Sequence, residues 1–210
     1  MSWYIVMRVQ MQDSQACKIT SPFSIDAESG WVRGVRRVDS PNSDERPPEC
    51  KPELIVVHGI SLPPGRFGGL WVEALFTNTL PAAVHAYFAS ICALRVSAHL
   101  LINRNGMLTQ FVSFHRRAWH AGESCYRERK ACNDFSIGIE LEGTDDHPYA
   151  TSQYEALSSV ISALRTSYPM LVGAAVVGHC DVAPGRKTDP GPAFDWPRLN
   201  ALLAETAKKS

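Results

Sequence analysis

The chain has 210 residues, 45% of them hydrophobic, and 21 Lys+Arg balance 21 Asp+Glu to a formal net charge of zero. This length suffices for one domain with a full core. The charge balance gives no general attraction to nucleic acid or to an anionic membrane, so a charged partner has to be met by a local site. No stretch approaches the ~18 apolar residues of a membrane span. The apolar run Trp3 to Met7 is cut by Arg8 and has no basic segment before it, so it does not read as a secretion signal. The six cysteines (Cys17, Cys50, Cys92, Cys125, Cys132 and Cys180) include no CxxC pair and read as reduced thiols. The expected compartment is the cytoplasm.

In chain order, residues 1–25 read as an appendage to a domain spanning 26–210. Trp3, Ile5, Met7, Val9 and Met11 alternate with Tyr4, Val6, Arg8 and Gln10, the pattern of an extra edge strand; a segment with no fixed structure is the alternative. The polar, Pro-rich stretch 39–53 predicts a loop. Leu54–Val57 is a short apolar run that predicts a buried strand ending at His58. A Pro/Gly-rich loop over 61–70 leads to helices predicted around 71–77 and 82–93, the second carrying Val84, Phe88, Ile91 and Cys92 at helical spacing. Strands over 96–103 and 107–112 flank Arg104-Asn105-Gly106, a hairpin signal. Ser136–Glu142 alternates: Ile137, Ile139 and Leu141 point one way, Gly138, Glu140 and Glu142 the other. Helices are predicted over 151–167 and 195–208, the last with Asp195 as its N-cap and Pro197 in its first turn. Interleaved strands and helices imply an α/β fold, a single domain with a central mixed sheet flanked by helices. There is no internal repeat.

The most informative segment is Gly178-His179-Cys180-Asp181-Val182-Ala183-Pro184-Gly185-Arg186-Lys187-Thr188-Asp189-Pro190-Gly191. A His follows the apolar run 174–177, and a Pro/Gly-rich loop returns a Lys and an Asp toward it. Two strands that each finish on a His, at 58 and 179, suggest a site in a cleft at the strand ends. A catalytic zinc site needs three protein ligands and one open position. His58, His179 and Asp189 supply two neutral nitrogens and a carboxylate. The residues alone do not single out this triple among seven His and the acidic groups, and an ordinary polar surface loop is the competing reading. Cys180, beside His179, reads as structural because neighbours on a strand face opposite ways.

Five ordered blocks sharpen the reading: LIVVHGISLPPGRFGG, RVSAHLLINRNG, RAWHAG, CNDFSIGIELEGTD and VGHCDVAPGRKTDPGPAFDW. From about Trp31 to Leu203 the chain resembles the cytoplasmic 1,6-anhydro-N-acetylmuramyl-L-alanine amidases, the AmpD-type branch of the zinc amidase and peptidoglycan-recognition superfamily. The resemblance implies hydrolysis of the amide between the lactyl group of anhydro-N-acetylmuramic acid and L-Ala of the stem peptide, in peptidoglycan recycling. It implies Zn2+ as cofactor, held by His58, His179 and Asp189. Glu140 matches the catalytic carboxylate, and Lys187 the residue that steadies the transition state. His120 and Trp119 (AWHAG) match the substrate cleft, with an internally hydrogen-bonded role as the alternative for His120. Arg95 matches a position near the stem peptide, where a surface ion pair is the alternative. His99 reads as a residue that orients neighbours. The expected partner is an anhydromuropeptide, met by a monomer.

One departure stands out. Gly59 occupies a position where the resembled proteins carry Asn, and its lack of a polar side chain implies altered substrate affinity or selectivity. Two rival functions follow from the same residues. One is a peptidoglycan-binding module without catalysis, disfavoured by the complete set of five matched residues. The other is an exported amidase acting on polymeric wall.

Overall fold

The computed structural model describes residues 23–208. The alternation over 3–11, the bulk of the expected appendage and Cys17 lie outside the described residues. Six strands form the central sheet: β1 (Arg36–Arg37), β2 (Leu54–Ile60), β3 (Leu100–Ile102), β4 (Leu108–Gln110), β5 (Ser136–Glu142) and β6 (Ala175–Gly178). Their order is β6-β2-β5-β3-β4-β1. β6, β2, β5 and β3 run parallel, and β3–β4 is the antiparallel hairpin around Asn105-Gly106. The sheet is therefore mixed, and helices cover it.

Leu54, Ile55, Val56 and Val57 are fully buried, as strands covered on both faces require. Each such side chain contributes roughly 1.5–3 kcal/mol on leaving water. Ile55, Val57, Ile137, Ile139 and Leu141 point to one face. There they meet α3 (Thr151–Ser167) and α5 (Trp196–Ala207) through residues such as Leu157, Val160, Ile161 and Leu199. Leu54 and Val56 point to the other face, toward Ala121, Cys132, Phe135 and Val182. A third cluster lies beneath α1 (Trp71–Phe76) and α2 (Ala86–Ile91), centred on Phe76, Phe88 and Phe111. Phe23 and Ile25 pack against the first cluster, so the start of the described chain is part of the body of the domain.

The helix starts have local causes. Asp195 accepts the Arg198 N–H at 2.9 Å, with Pro197 inside the first turn. Gln153, fully buried, accepts the Ala150 N–H and donates to the carbonyls of Ile102 and Glu142, tying α3 to the ends of β3 and β5. The helix expected over 82–93 breaks. A single 3-10 turn (Ala82–Val84) precedes α2, and His85 between them is extended at φ −153° and caps α2 by accepting the Tyr87 N–H. Val84 is 56% exposed, so only Phe88 of the expected stripe is fully buried. The expected loop 39–53 contains a strand, Ser43–Glu45, antiparallel to Arg116–Ala118, with charges paired across it: Arg117 with Asp44, Arg116 with Glu45. Charge patterning hid this pair from a reading based on apolar periodicity. No helix among the described residues is long and apolar enough to cross a membrane.

Candidate metal centre

The parallel register places His58 of β2 directly beside Glu140 of β5. On the other flank of β2, β6 ends at Gly178, paired with Val57. His179 follows as the first residue of the short helix α4 (His179–Val182). Three adjacent parallel strands thus deliver their C-terminal ends to one place, where open α/β sheets bind ligands. His179 lies on a helical turn rather than on the strand. Cys180 is therefore turned away by the helix, not by strand alternation as expected; its N–H donates to the Asp189 carbonyl at 2.9 Å.

His58, His179 and Asp189 each offer one donor atom, all within 4.8 Å of one another. His58 Nδ1 lies 3.0 Å from His179 Nδ1, and Asp189 Oδ2 lies 3.3 and 3.1 Å from those two nitrogens. The outward nitrogens have their own partners: His58 Nε2 meets His120 Nδ1 at 2.9 Å, and His179 Nε2 meets the Ala121 carbonyl at 3.3 Å. With the outer nitrogens as donors, both Nδ1 lone pairs and a carboxylate oxygen converge on one point. This donor set fits a cation of the Zn2+ type, for which N and O ligands with outer-shell support are usual. Burial would raise the Asp189 carboxyl, but the adjoining His179 and His58 imidazoles outweigh that and hold it well below the usual carboxylate range.

Glu140 is 8% exposed, and its Oε2 has no hydrogen-bond partner. Burial, reinforced by Asp189 and opposed by Lys187, pushes its carboxyl well above the ordinary value. Glu142, on the same face, is not solvated as strand alternation alone would permit. It accepts the N–H groups of Gly68 and Arg104 and so pins two loops to the strand end. Lys187 is exposed and lines the same cleft. The cleft holds about 580 Å³, with His58, His120, Glu140, His179, Lys187 and Asp189 on its polar side and Leu62, Leu75, Phe76, Tyr87, Ile91 and Leu94 on its apolar side.

The other candidates separate. His120 lines the cleft but spends both ring nitrogens internally, on His58 and on Ser136 Oγ. Arg95 and Trp119 are not brought into the cleft lining: the Arg95 guanidinium folds back on the carbonyls of 92–94, and Trp119 Nε1 donates to Asp44 at 3.1 Å. His99 accepts the Gly138 N–H at 3.0 Å and so orients the middle of β5. Gly59 lines the cleft, and a Cβ there would fall inside contact distance of the Tyr149 hydroxyl, which donates to the Pro190 carbonyl at 3.0 Å. A Cβ at Gly143 would overlap the same Tyr149 ring. Ser136, Gly138 and Tyr149 went unread in the sequence, although the alternation that exposes Glu140 also puts Ser136 and Gly138 on its face.

Burial lowers His58 to about 4, His99 to about 3, and His120 well below its ordinary value. Each is neutral in the fold and takes up a proton on unfolding below about pH 6.5. The unfolded chain then binds more protons, so stability falls as pH drops from about 6.5 toward 4. The slope is up to about 1.4 kcal/mol per pH unit for each imidazole. Glu140 acts with the opposite sign, one group against three. Urea denaturation of the metal-free chain should give lower stability at pH 5 than at pH 7; equal or higher stability at pH 5 would contradict this account.

The chain as a whole is similar to known proteins. The N-acetylmuramoyl-L-alanine amidase family profile matches residues 48–192. The 1,6-anhydro-N-acetylmuramyl-L-alanine amidase AmpD of Salmonella typhimurium (strain SL1344) is 56% identical over 182 residues, 87% of this chain and 97% of the relative. A crystal structure of selenomethionine AmpD matches with a TM-score of 0.82 at 56% identity, covering 85% of this chain and 98% of its own. The Escherichia coli N-acetylmuramyl-L-alanine amidase AmiD, in complex with the substrate anhydro-N-acetylmuramic acid-L-Ala-D-gamma-Glu-L-Lys, matches with a TM-score of 0.52 at 26% identity, covering 86% of this chain and 65% of its own.

Proposed function

This chain belongs to the N-acetylmuramoyl-L-alanine amidase family, and from that premise we infer that its cleft hydrolyses the lactyl–L-Ala amide of 1,6-anhydro-N-acetylmuramyl peptides in peptidoglycan recycling. One observation carries the reading: the His58, His179 and Asp189 donors converge beside the unpartnered carboxylate oxygen of Glu140, inside a cleft with an apolar wall. The family resemblance adds the cytoplasm as the place of action.

His58, His179 and Asp189 would hold Zn2+, which when bound supplies Lewis-acid polarisation to the amide carbonyl. Glu140 takes a proton from the attacking water and returns it to the departing amine of L-Ala. A carboxyl whose proton affinity is raised by burial holds a proton taken from water better than an ordinary carboxylate does, and can then give it to the amine. Lys187, on the loop above, brings a positive charge to the oxygen that becomes negative as the carbonyl is attacked. The apolar residues from Leu62 to Leu94 offer non-polar contact to the remainder of the substrate.

The test is incubation of the purified protein with a soluble anhydromuramyl tripeptide, followed by mass spectrometry. Release of free tripeptide is expected, abolished by a zinc chelator and restored by added zinc. Absence of release by a folded, zinc-loaded protein would overturn the reading. Intact sacculi, offered in parallel, should be attacked far more slowly than the soluble fragment; the reverse would favour a wall-lytic amidase.

A further inference from the structure

Two hydrogen-bond chains run outward from the donor cluster, and each ends on a backbone carbonyl. A carbonyl can only accept, so each chain has a single permitted direction. The longer one can be followed inward from its end. The Cys132 carbonyl lies 2.5 Å from the Ser136 hydroxyl, which must donate to it. The Ser136 oxygen is then the acceptor for His120 Nε2 at 3.1 Å. With its proton on Nε2, His120 presents a lone pair at Nδ1, which accepts from His58 Nε2 at 2.9 Å. A neutral His58 thereby carries its proton on Nε2 and its lone pair on Nδ1, the nitrogen that faces His179 and Asp189. The shorter chain does the same for His179, whose Nε2 donates to the Ala121 carbonyl.

The surroundings hold the longer chain rigid. All three of its side chains are at most 8% exposed. Asn133 Oδ1 accepts the backbone N–H groups of His120 and Ala121, at 3.1 and 2.8 Å, and fixes where that strand end lies. Gly138 leaves the space the His120 ring fills, since a Cβ there would overlap the ring.

We propose that Ser136 and His120 form a one-way hydrogen-bond chain that sets the tautomer and aim of His58 before metal arrives, making both of them positioning residues for the metal centre. The proposal rests on the reading of His58, His179 and Asp189 as the zinc site. It also gives His120 a role different from the substrate contact that resemblance implies.

Zinc affinity, measured on the full chain by competition with a chromophoric chelator, tests it. His120→Phe keeps a ring but neither nitrogen, and should weaken zinc binding by about 10–100-fold, the usual cost of losing an outer-shell partner. Ser136→Ala should shift affinity in the same direction by less. His120→Gln, whose amide accepts at one atom and donates at the other, should recover most of the loss. A substrate-contact role would instead raise KM and leave zinc affinity unchanged, and that result overturns the proposal. A readout free of any variant is the long-range 1H–15N spectrum of the metal-free wild type at neutral pH. It should show His58 protonated at Nε2; a His58 ring with no proton on Nε2 overturns the proposal even if the variants fail to fold. A wild-type chain that takes up no zinc overturns the metal reading itself, whereas tight zinc binding unaffected by His120→Phe overturns only the chain.

Discussion

Glu140→Gln should lower kcat for tripeptide release by about 10²–10⁴-fold, the range that a positioned acid–base group supplies. Zinc affinity and thermal stability should stay close to wild type. Gln keeps the size of Glu and the strand face it occupies, so packing between β2 and β5 is preserved. The change removes only the capacity to take and return a proton. Stability is not at risk from a lost ion pair, because Glu140 Oε2 has no partner in the fold. An uncharged amide also relieves the burial that pushes the Glu140 carboxyl upward, so a slight gain in stability is consistent with the same account. A variant that keeps more than a tenth of wild-type kcat would remove Glu140 from the role of proton carrier.

Asp189→Ala should abolish detectable hydrolysis and weaken zinc binding by more than the 10–100-fold typical of an outer-shell loss. Asp189 brings the only negative charge among the three donors, and two neutral imidazoles are left without it. The loop that carries Asp189 should stay in place, since its anchors are backbone groups: Cys180 N–H on the Asp189 carbonyl and Tyr149 on the Pro190 carbonyl. The same variant separates hydrolysis from mere recognition. If the chain were a muropeptide-binding module, Asp189→Ala would still retain the anhydromuramyl tripeptide with wild-type affinity in the absence of zinc. Loss of both zinc and turnover in a folded variant is the result expected of an enzyme.

Much of the scaffold could be read from local pattern because local physics sets it. Seven residues of period-two alternation mark Ser136–Glu142, and Thr151–Ser167 follows from its apolar spacing up to Tyr168 and Pro169. Asp195 caps its helix as the Asp-x-Pro signature requires. The short strands Ser43–Glu45 and Arg116–Ala118 escaped because ion pairs hold them, and charge carries no strand periodicity. His58 and Glu140 are adjacent through inter-strand register, which no window of sequence contains. Only the resemblance of whole blocks could join them in advance. Glu142 shows the reverse failure: its partners are N–H groups of two loops, invisible until the loops are placed. The outward hydrogen bonds of His120 depend on a glycine opposite it, so they too had no local signature.

The seat of Tyr149 limits how this site can be transplanted. Gly59, Gly143 and Tyr149 act as one three-part joint: two missing side chains admit a ring whose hydroxyl steadies the residue after Asp189. Exchanging Gly59 alone for a larger residue sets its Cβ against the Tyr149 hydroxyl, which must shift from its place on the Pro190 carbonyl. A designer who wants a polar group at position 59 has to allow for a moved Tyr149 hydroxyl, and with it a changed anchor for the Pro190 carbonyl. Selectivity at position 59 and stiffness of the Asp189 loop are therefore not independently adjustable in this chain.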